Sequence, residues 1–404
     1  YAAEGEYVRL TCGNFDYQNN CFKENKAKDN LYYIGDFKPD FLMKEGDIIT
    51  PLTEQAIGLL GSTAIIPESG KYIQSQDVAK IVCKEHLLDK DFAFYLISSN
   101  LVKQQLSAAA QQTKIRHTSP DKIKDCIVWI PELEEQKRIG KLLRTIDLKI
   151  ELNRQLNHNL EAMAKQLYDY WFVQFDFPDE NGKPYKSSGG KMVWDKRLKR
   201  EIPLLWKAKI VEEVADVYNG ATPSTVNELN YGGDIVWITP KDLSDQKQKF
   251  VYQGERNISQ VGYDSCSTHL LPSNTILMSS RAPIGLLAIA KTELCTNQGF
   301  KSFVSKSKNI ATYLYYYLQY HITQIEQLGT GTTFKEVSRE DILKFPMLKP
   351  SDNVLDLWEE IVSALNDRQL EIQKENENLI KQRDELLPLL MNGQVSVNYD
   401  LSHD

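Results

Sequence analysis

The chain repeats itself, and nothing else in it narrows the possible folds as far. Glu6-Tyr-Val-Arg-Leu-Thr11 reads like Asp234-Ile-Val-Trp-Ile-Thr239, 228 positions later. Gly46-Asp-Ile-Ile49 reads like Ser273-Asn-Thr-Ile276, and Ala56-Ile-Gly-Leu-Leu60 returns as Pro283-Ile-Gly-Leu-Leu287 at an offset of 227. Gln76 returns as Gln298 at 222. Thr113-Lys-Ile-Arg116 returns as Thr332-Thr-Phe-Lys335 at 219, the offset that also relates Pro131 to Pro350. The order is kept while the offset drifts slightly, the pattern of a duplicated domain with small insertions. The second copy opens with Ile202-Pro-Leu-Leu-Trp206 and Asn219-Gly-Ala-Thr-Pro-Ser224, for which the first has no counterpart. Tyr1 therefore reads as the start of a fragment or processed form whose first domain lacks its opening part.

Each copy mixes short β-like runs with a helix. Tyr7–Thr11, Asp47–Thr50, Gly61–Ile66 and Val78–Cys83 are β-branched or alternating stretches between turn residues. Phe92–Gln105 and Ala311–Gln324 have helical spacing. Tyr313, Tyr315, Tyr316, Tyr317 and Tyr320 crowd the second of these helices; they read as packing onto the sheet rather than as a base-stacking platform.

After Pro131 and after Pro350 the composition turns to Leu, Glu, Lys, Gln and Asn. A 3,4 spacing selects Ile139, Leu142, Ile146, Lys149, Asn153, Leu156, Leu160, Met163, Leu167 and Tyr170 in the first segment. It selects Trp358, Ile361, Leu365, Arg368, Ile372, Glu375, Leu379, Gln382, Leu386 and Leu389 in the second. Both read as coiled-coil seams in one phase, each starting at a proline that fits a helix N-terminus. A helix over 132–171 would be a rod of roughly 60 Å at ~1.5 Å per residue. The two helices are expected to pair antiparallel, with the polar seam residues setting register. The predicted organisation is a domain over 1–131, a helix over 132–177, a linker over 178–200, a second domain over 201–350, a helix over 351–393 and a tail over 394–404. The linker, with Asn181-Gly-Lys-Pro184 and Ser187-Ser-Gly-Gly190, reads as solvated and flexible.

The net charge of −7 is concentrated at the C-terminal end: 351–404 carries −8, while both domains are close to neutral. A near-neutral domain can still bind DNA through one basic face, with less help from bulk phosphate attraction. The six cysteines form no Cys-x-x-Cys pair and read as reduced thiols of a cytoplasmic protein; the scattered histidines suggest no zinc site. No apolar run approaches the ~20 residues that span a bilayer.

Several words resemble the specificity subunit of type I restriction-modification systems. They are Glu134-Glu-Gln-Lys-Arg-Ile139, Lys149-Ile-Glu-Leu-Asn-Arg154, Leu160-Glu-Ala-Met-Ala164, Trp171-Phe-Val-Gln-Phe-Asp176, the linker from Asn181 to Lys191, Ile202-Pro203 with Trp206, and Gly220-Ala-Thr-Pro223. The resemblance covers essentially the whole chain. The second helix departs from it by lacking a Glu-Glu-Gln-Lys-like start. It implies an α+β fold, with two duplicated mixed α/β target-recognition domains joined by two long antiparallel coiled-coil helices. It further implies a non-catalytic subunit that reads a bipartite double-stranded DNA target, one half per domain. Two methyltransferase (modification) subunits would dock on the helices, and restriction (translocase and nuclease) subunits would join them. S-adenosylmethionine, ATP and Mg would belong to those partners. The residues agree that catalysis lies elsewhere: there is no Asn-Pro-Pro-aromatic motif, and Gly329-Thr-Gly-Thr-Thr333 lacks the Lys-Ser/Thr of a phosphate loop.

Base reading needs side chains that present donors and acceptors to groove edges, and phosphate contact needs Lys, Arg, Ser or Thr. In the first domain the candidates are Arg9, Asn14, Thr53, Gln55, Gln74, Gln76, Lys114, Arg116 and His117. In the second they are Thr222, Ser224, Lys241, Arg281, Asn297, Gln298, Thr332, Thr333 and Lys335. The partner-binding helices are represented by Ile139, Leu142, Ile146, Leu156, Leu160, Met163, Leu167, Trp358, Ile361, Leu365, Ile372, Leu379 and Leu386. The competing reading is a coiled-coil protein–protein scaffold without DNA specificity.

Overall fold

The computed structural model describes residues 2–25, 31–54, 58–109, 116–331 and 335–397. It divides into two compact units, residues 1–153 with 375–404 and residues 154–374.

Among its described residues the first unit holds two three-stranded sheets besides two short two-stranded ones. Strand Tyr7–Arg9 is central in one, antiparallel to Tyr32–Tyr33 and parallel to Tyr72–Ile73, with Arg9 opposite Ile73. Strand Ile48–Pro51 is central in the other, antiparallel to Ala64–Ile65 and Val78–Ile81, with Pro51 opposite Val78. In the second unit strand Tyr231–Ile238 is antiparallel to Arg256–Ile258 and parallel to Cys295–Thr296, with Trp237 opposite Cys295. Strand Ile276–Ser279 is antiparallel to Leu287–Ala290 and Phe300–Ser305, with Ser279 opposite Phe300. These registers repeat those of the first unit at the offsets read from the sequence. The second sheet also gains Ala215–Asn219 along Phe300–Ser305 and Phe250–Val251 along Leu287–Ala290.

One repeat alignment shifts. Gly46 (φ +80°) and Asn274 (φ +68°) occupy equivalent left-handed positions before the central strand. Gly and Asn tolerate that conformation, so the backbone sets the offset there at 228 and pairs Gly46 with Asn274 rather than with Ser273.

The first long helix runs Leu133–Tyr168 and the second Asp352–Met391. Their contacts within each unit run in opposite order, which makes them antiparallel. In the first unit Ile139 and Leu143 pack with Leu390 and Met391, Asp147 pairs with Arg383 at 3.0 Å, and Asn153 Nδ2 donates to Asn376 Oδ1 at 3.0 Å. In the second, Gln369 Nε2 donates to Asn157 O at 3.2 Å and Tyr168 lies against Trp358.

The seam phase differs from the 3,4 expectation. Ile139, Trp358 and Ile372 are buried and Ile146, Leu160, Leu365, Leu379 and Leu386 are half-buried, as expected. The alternate seam position, however, lies one residue further on. Leu143 and Ile150 are buried beside the half-buried Leu142 and the exposed Lys149, and Ala164 and Trp171 are buried in place of Met163 and Tyr170, while Leu167 is half-buried as expected. Val362, Gln369, Asn376, Arg383 and Leu390 are buried in place of Ile361, Arg368, Glu375, Gln382 and Leu389. Leu156, Met163 and Ile361 point outward. Four of the buried seam residues, Asn153, Gln369, Asn376 and Arg383, are polar and hydrogen-bonded, so apolar spacing alone does not separate the two phases.

The 178–200 segment is folded rather than a free linker. Strand Met192–Asp195 pairs antiparallel with Arg200–Pro203, Tyr185 stacks on Phe177, and Asp176 accepts from Ser187 N at 2.7 Å and Ser187 Oγ at 2.6 Å. Hydrogen bonds to its charged form hold the Asp176 carboxyl below its usual range, the Ser187 hydroxyl contributing most.

Tyr313, Tyr315, Tyr316 and Tyr317 are buried in the second unit's core with Trp206, Phe172 and Trp358. No face of these four rings is left for a base.

Candidate nucleic-acid interface

Strand register gathers the scattered candidates. In the second unit Asn219 lies opposite Lys301 and Ser279 opposite Phe300. Two strands therefore end, and a third begins, along one sheet edge. Asn297 N donates to Ile238 O at 3.1 Å and Ala221 N to Thr296 O at 2.9 Å, bringing the end of the other sheet to the same place. Thr222, Ser224, Lys241, Arg281, Asn297 and Gln298 thus emerge around one edge. Thr222 Oγ1 donates to Gln298 Oε1 at 2.5 Å. The loop seats so closely that a Cβ on Gly220 would lie 2.1 Å from Thr296 O, so glycine is required there. Lys335 joins through its neighbour Glu336, which bridges to Arg281.

The first unit builds the same edge. Leu52 N donates to Asp77 O at 2.8 Å as Ser280 N does to Gly299 O, also at 2.8 Å. Asp77 N donates to Ser75 Oγ at 3.3 Å as Gly299 N does to Asn297 Oδ1 at 2.9 Å. Thr53 lies opposite His117 as Arg281 lies opposite Glu336. Ser119 and Ser338 then cap equivalent short helices, Pro120–Lys124 and Arg339–Leu343. Thr53, Gln74, Gln76, Arg116 and His117 therefore share an edge with the end of strand Tyr7–Arg9, since Cys12 Sγ lies 3.1 Å from Thr53 Oγ1. Gln76 and His117 are exposed there, and Arg9 is half-buried.

Two candidates turn inward. Asn14 is fully buried: its Oδ1 accepts from Thr11 N at 2.9 Å and its Nδ2 donates to Lys23 O. That is turn chemistry, with no amide left for a base. Arg116 Nη1 donates to Glu54 Oε1 at 3.3 Å and to Ser107 Oγ at 3.0 Å. Glu54 is buried and also accepts from Leu59 N and Leu60 N, both at 3.0 Å, so Arg116 balances a buried charge. Gln55, Lys114, Thr332 and Thr333 lie outside the described residues. Lys241 pairs with Glu255 at 2.8 Å on the open surface, where such a pair adds little stability.

Sequence reading missed the acids. Glu336 accepts from Arg281 Nε at 3.0 Å and from Lys301 Nζ at 3.2 Å. Partial burial works against its charge, but the Lys301 and Arg281 hydrogen bonds prevail and hold its carboxyl below the usual value. Its signal in the sequence was position: it directly follows Lys335 and matches His117 at the same offset.

Among the described residues no group of three or more His, Cys, Asp or Glu is arranged to hold a metal ion, and no helix is long and apolar enough to cross a membrane.

The family model described as the type I restriction modification DNA specificity domain matches residues 6–162 and again 203–382. The chain is similar to the MjaIX specificity subunit of Methanocaldococcus jannaschii, 35% identical over 197 residues, a match spanning 47% of this chain and 46% of that protein. It is also similar to the HindI specificity subunit of Haemophilus influenzae, 24% identical over 375 residues, covering 80% of this chain and 81% of that one. Its fold is that of the type I restriction-modification S subunit from M. genitalium, with a TM-score of 0.62 at 15% identity over 96% of this chain and 89% of that one. Two matches to one family model fall on the two copies that the strand registers define, and the chain belongs to the type I restriction-modification DNA specificity family, carrying its domain twice.

Proposed function

We propose that this chain is the DNA-reading subunit of a cytoplasmic type I restriction-modification complex, each unit reading one half of a bipartite double-stranded target through its loop edge. One observation carries this reading. Both units hold the same edge in the same register, while the side chains at matched positions differ: Arg281 and Glu336 in one, Thr53 and His117 in the other. A kept frame with changed contact groups suits a target whose halves differ in sequence. A plain coiled-coil scaffold would have no use for such an edge.

The long helices are proposed to dock two modification subunits, which restriction subunits join. S-adenosylmethionine, ATP and Mg belong to those partners in this reading. Support comes from large apolar side chains left exposed: Leu148 and Leu152 in the first unit, and Leu156, Met163 and Ile361 in the second.

The test is to reconstitute the chain with its modification subunits and map methylated adenines across a genome's worth of DNA. Two short specific blocks separated by a fixed, unspecified spacer are expected. A single contiguous motif, or methylation without sequence preference, would overturn the proposal.

A further inference from the structure

Resting on the DNA-reading proposal, we propose that Arg281 reads a guanine in the second unit's half-site, and that Glu336, anchored by Lys301, is the positioning residue that aims it. Arg281 follows the end of strand Ile276–Ser279 in a tight turn. Ser279 Oγ fixes that turn by accepting from Leu286 N at 2.8 Å and donating to Pro283 O at 2.6 Å. The Arg281 guanidinium is spent on one side only: Nε donates to Glu336 Oε2 at 3.0 Å. Among the described residues its two terminal nitrogens have no partner, and the side chain is 49% exposed. What remains is a flat two-pronged donor facing outward. Guanine presents two adjacent acceptors, O6 and N7, on its major-groove edge. Adenine sets a donor beside N7, which would oppose one prong, and neither pyrimidine offers an adjacent pair of acceptors.

A carboxylate at a DNA-facing edge would ordinarily repel phosphate. Here it is neutralised twice over. Its second oxygen accepts from Lys301 Nζ at 3.2 Å, and Lys301 is only 5% exposed and also donates to Ser280 Oγ at 3.3 Å. Arg281, Glu336 and Lys301 together carry one net positive charge. A free arginine loses rotamer freedom when it docks, whereas one already held by an ion pair has lost much of it in advance. Among the described residues the first unit has no such device. Thr53 and His117 stand at the equivalent positions, and Arg116 already spends a terminal nitrogen on Glu54 and Ser107. The guanine requirement therefore belongs to one half-site.

The test uses the chain in complex with its modification subunits, methylating a DNA library randomised across the second half-site. Wild type is expected to demand guanine at one position. Arg281→Ala should lose that demand by about 5- to 150-fold, the discrimination that a two-pronged contact supplies, while the rest of the motif stands. Glu336→Ala should relax the same position. Glu336→Gln, which keeps an acceptor for Nε, should retain more of the preference. Guanine preference that survives Arg281→Ala, or an even loss on all sequences as a phosphate contact gives, would overturn the assignment. If Glu336→Ala disturbs a different position from Arg281→Ala, Glu336 touches a base itself and its positioning role fails. A wild-type complex with no sequence demand at all would instead sink the DNA-reading proposal beneath it.

Discussion

Raising the pH past about 10 is expected to unfold the second unit steeply. Tyr168, Tyr313, Tyr315, Tyr316 and Tyr317 are buried there, and burial pushes every one of their phenols above the ordinary value of 10.0. The Glu161 carboxylate adds to the rise at Tyr315 and Tyr316. Unfolded, each phenol releases its proton near pH 10; folded, each keeps it. Above that pH the folded state holds more protons than the unfolded one, so stability falls by about 1.4 kcal/mol per pH unit per group. Five groups give a slope of roughly 7 kcal/mol per pH unit. Lys249 acts in the opposite sense: burial lowers its amine to about 8, against the attraction of Glu161. Between about 8 and 10.5 the unfolded state binds its proton more strongly, so this group makes stability rise with pH. The expected profile is a gentle rise from pH 8 towards 10, then collapse. Urea unfolding measured from pH 7 to 11.5, with tyrosinate absorbance as a second signal, checks this. Stability that stays level through pH 11 would mean these phenols are far more accessible than the fold requires.

Lys249→Met should be among the most damaging single changes outside the large aromatics. Lys249 Nζ lies 2.8 Å from Glu161 Oε2, 2.6 Å from Tyr316 Oη, 2.7 Å from Asn366 Oδ1 and 3.1 Å from Gln369 Oε1. One ammonium thus joins both long helices to the core helix Ala311–Tyr320. Removing one member of a buried ion pair costs about 3–5 kcal/mol, because the other charge stays behind without its partner. Replacing both with apolar groups of similar size is often far milder. Lys249→Met is therefore expected to lower the denaturation free energy of the second unit by about 3–5 kcal/mol. The double change Lys249→Met with Glu161→Leu should recover a large part of that loss. A single variant within 1 kcal/mol of wild type, or a double variant worse than the two singles combined, contradicts the paired arrangement.

The duplication was legible in the sequence because strand register follows from it, but the turn before the central strand was not, since Gly46 and Asn274 match through a left-handed backbone rather than through shared residue type. The long helices and their antiparallel pairing were legible too. Their contact phase was not. Leu156, Met163 and Ile361 are apolar yet face outward, while Gln369, Asn376 and Arg383 are polar yet face inward, so hydrophobic spacing did not separate the two neighbouring phases. The hairpin between the copies was hidden by polar composition, since its order comes from Phe177 stacking on Tyr185 and from Asp176 gripping Ser187. At the interface, the matched loops were readable as words but their shared edge was not, because strand pairing across about 80 positions assembles it. Glu336 and Lys301 escaped for opposite reasons. An acid beside DNA looks unfavourable until its two cations are known, and Lys301 lies within a strand, Phe300–Ser305, that otherwise reads as core.

Each unit's edge is proposed to govern its own half of the target. Arg116 is a poor probe of the first edge, because its loss would strand the buried Glu54 carboxylate. His117 and Gln76 are exposed on that edge, and Arg281 is exposed on the other. The most direct measurement compares His117→Ala, Gln76→Ala and Arg281→Ala in the assembled complex, scoring methylation on libraries randomised in one half-site at a time. Relaxed selectivity is expected in one half for the His117 and Gln76 variants and only in the opposite half for the Arg281 variant, with a lost base contact costing about 1–3 kcal/mol at a single position. Changes from both edges falling in the same half would contradict the account.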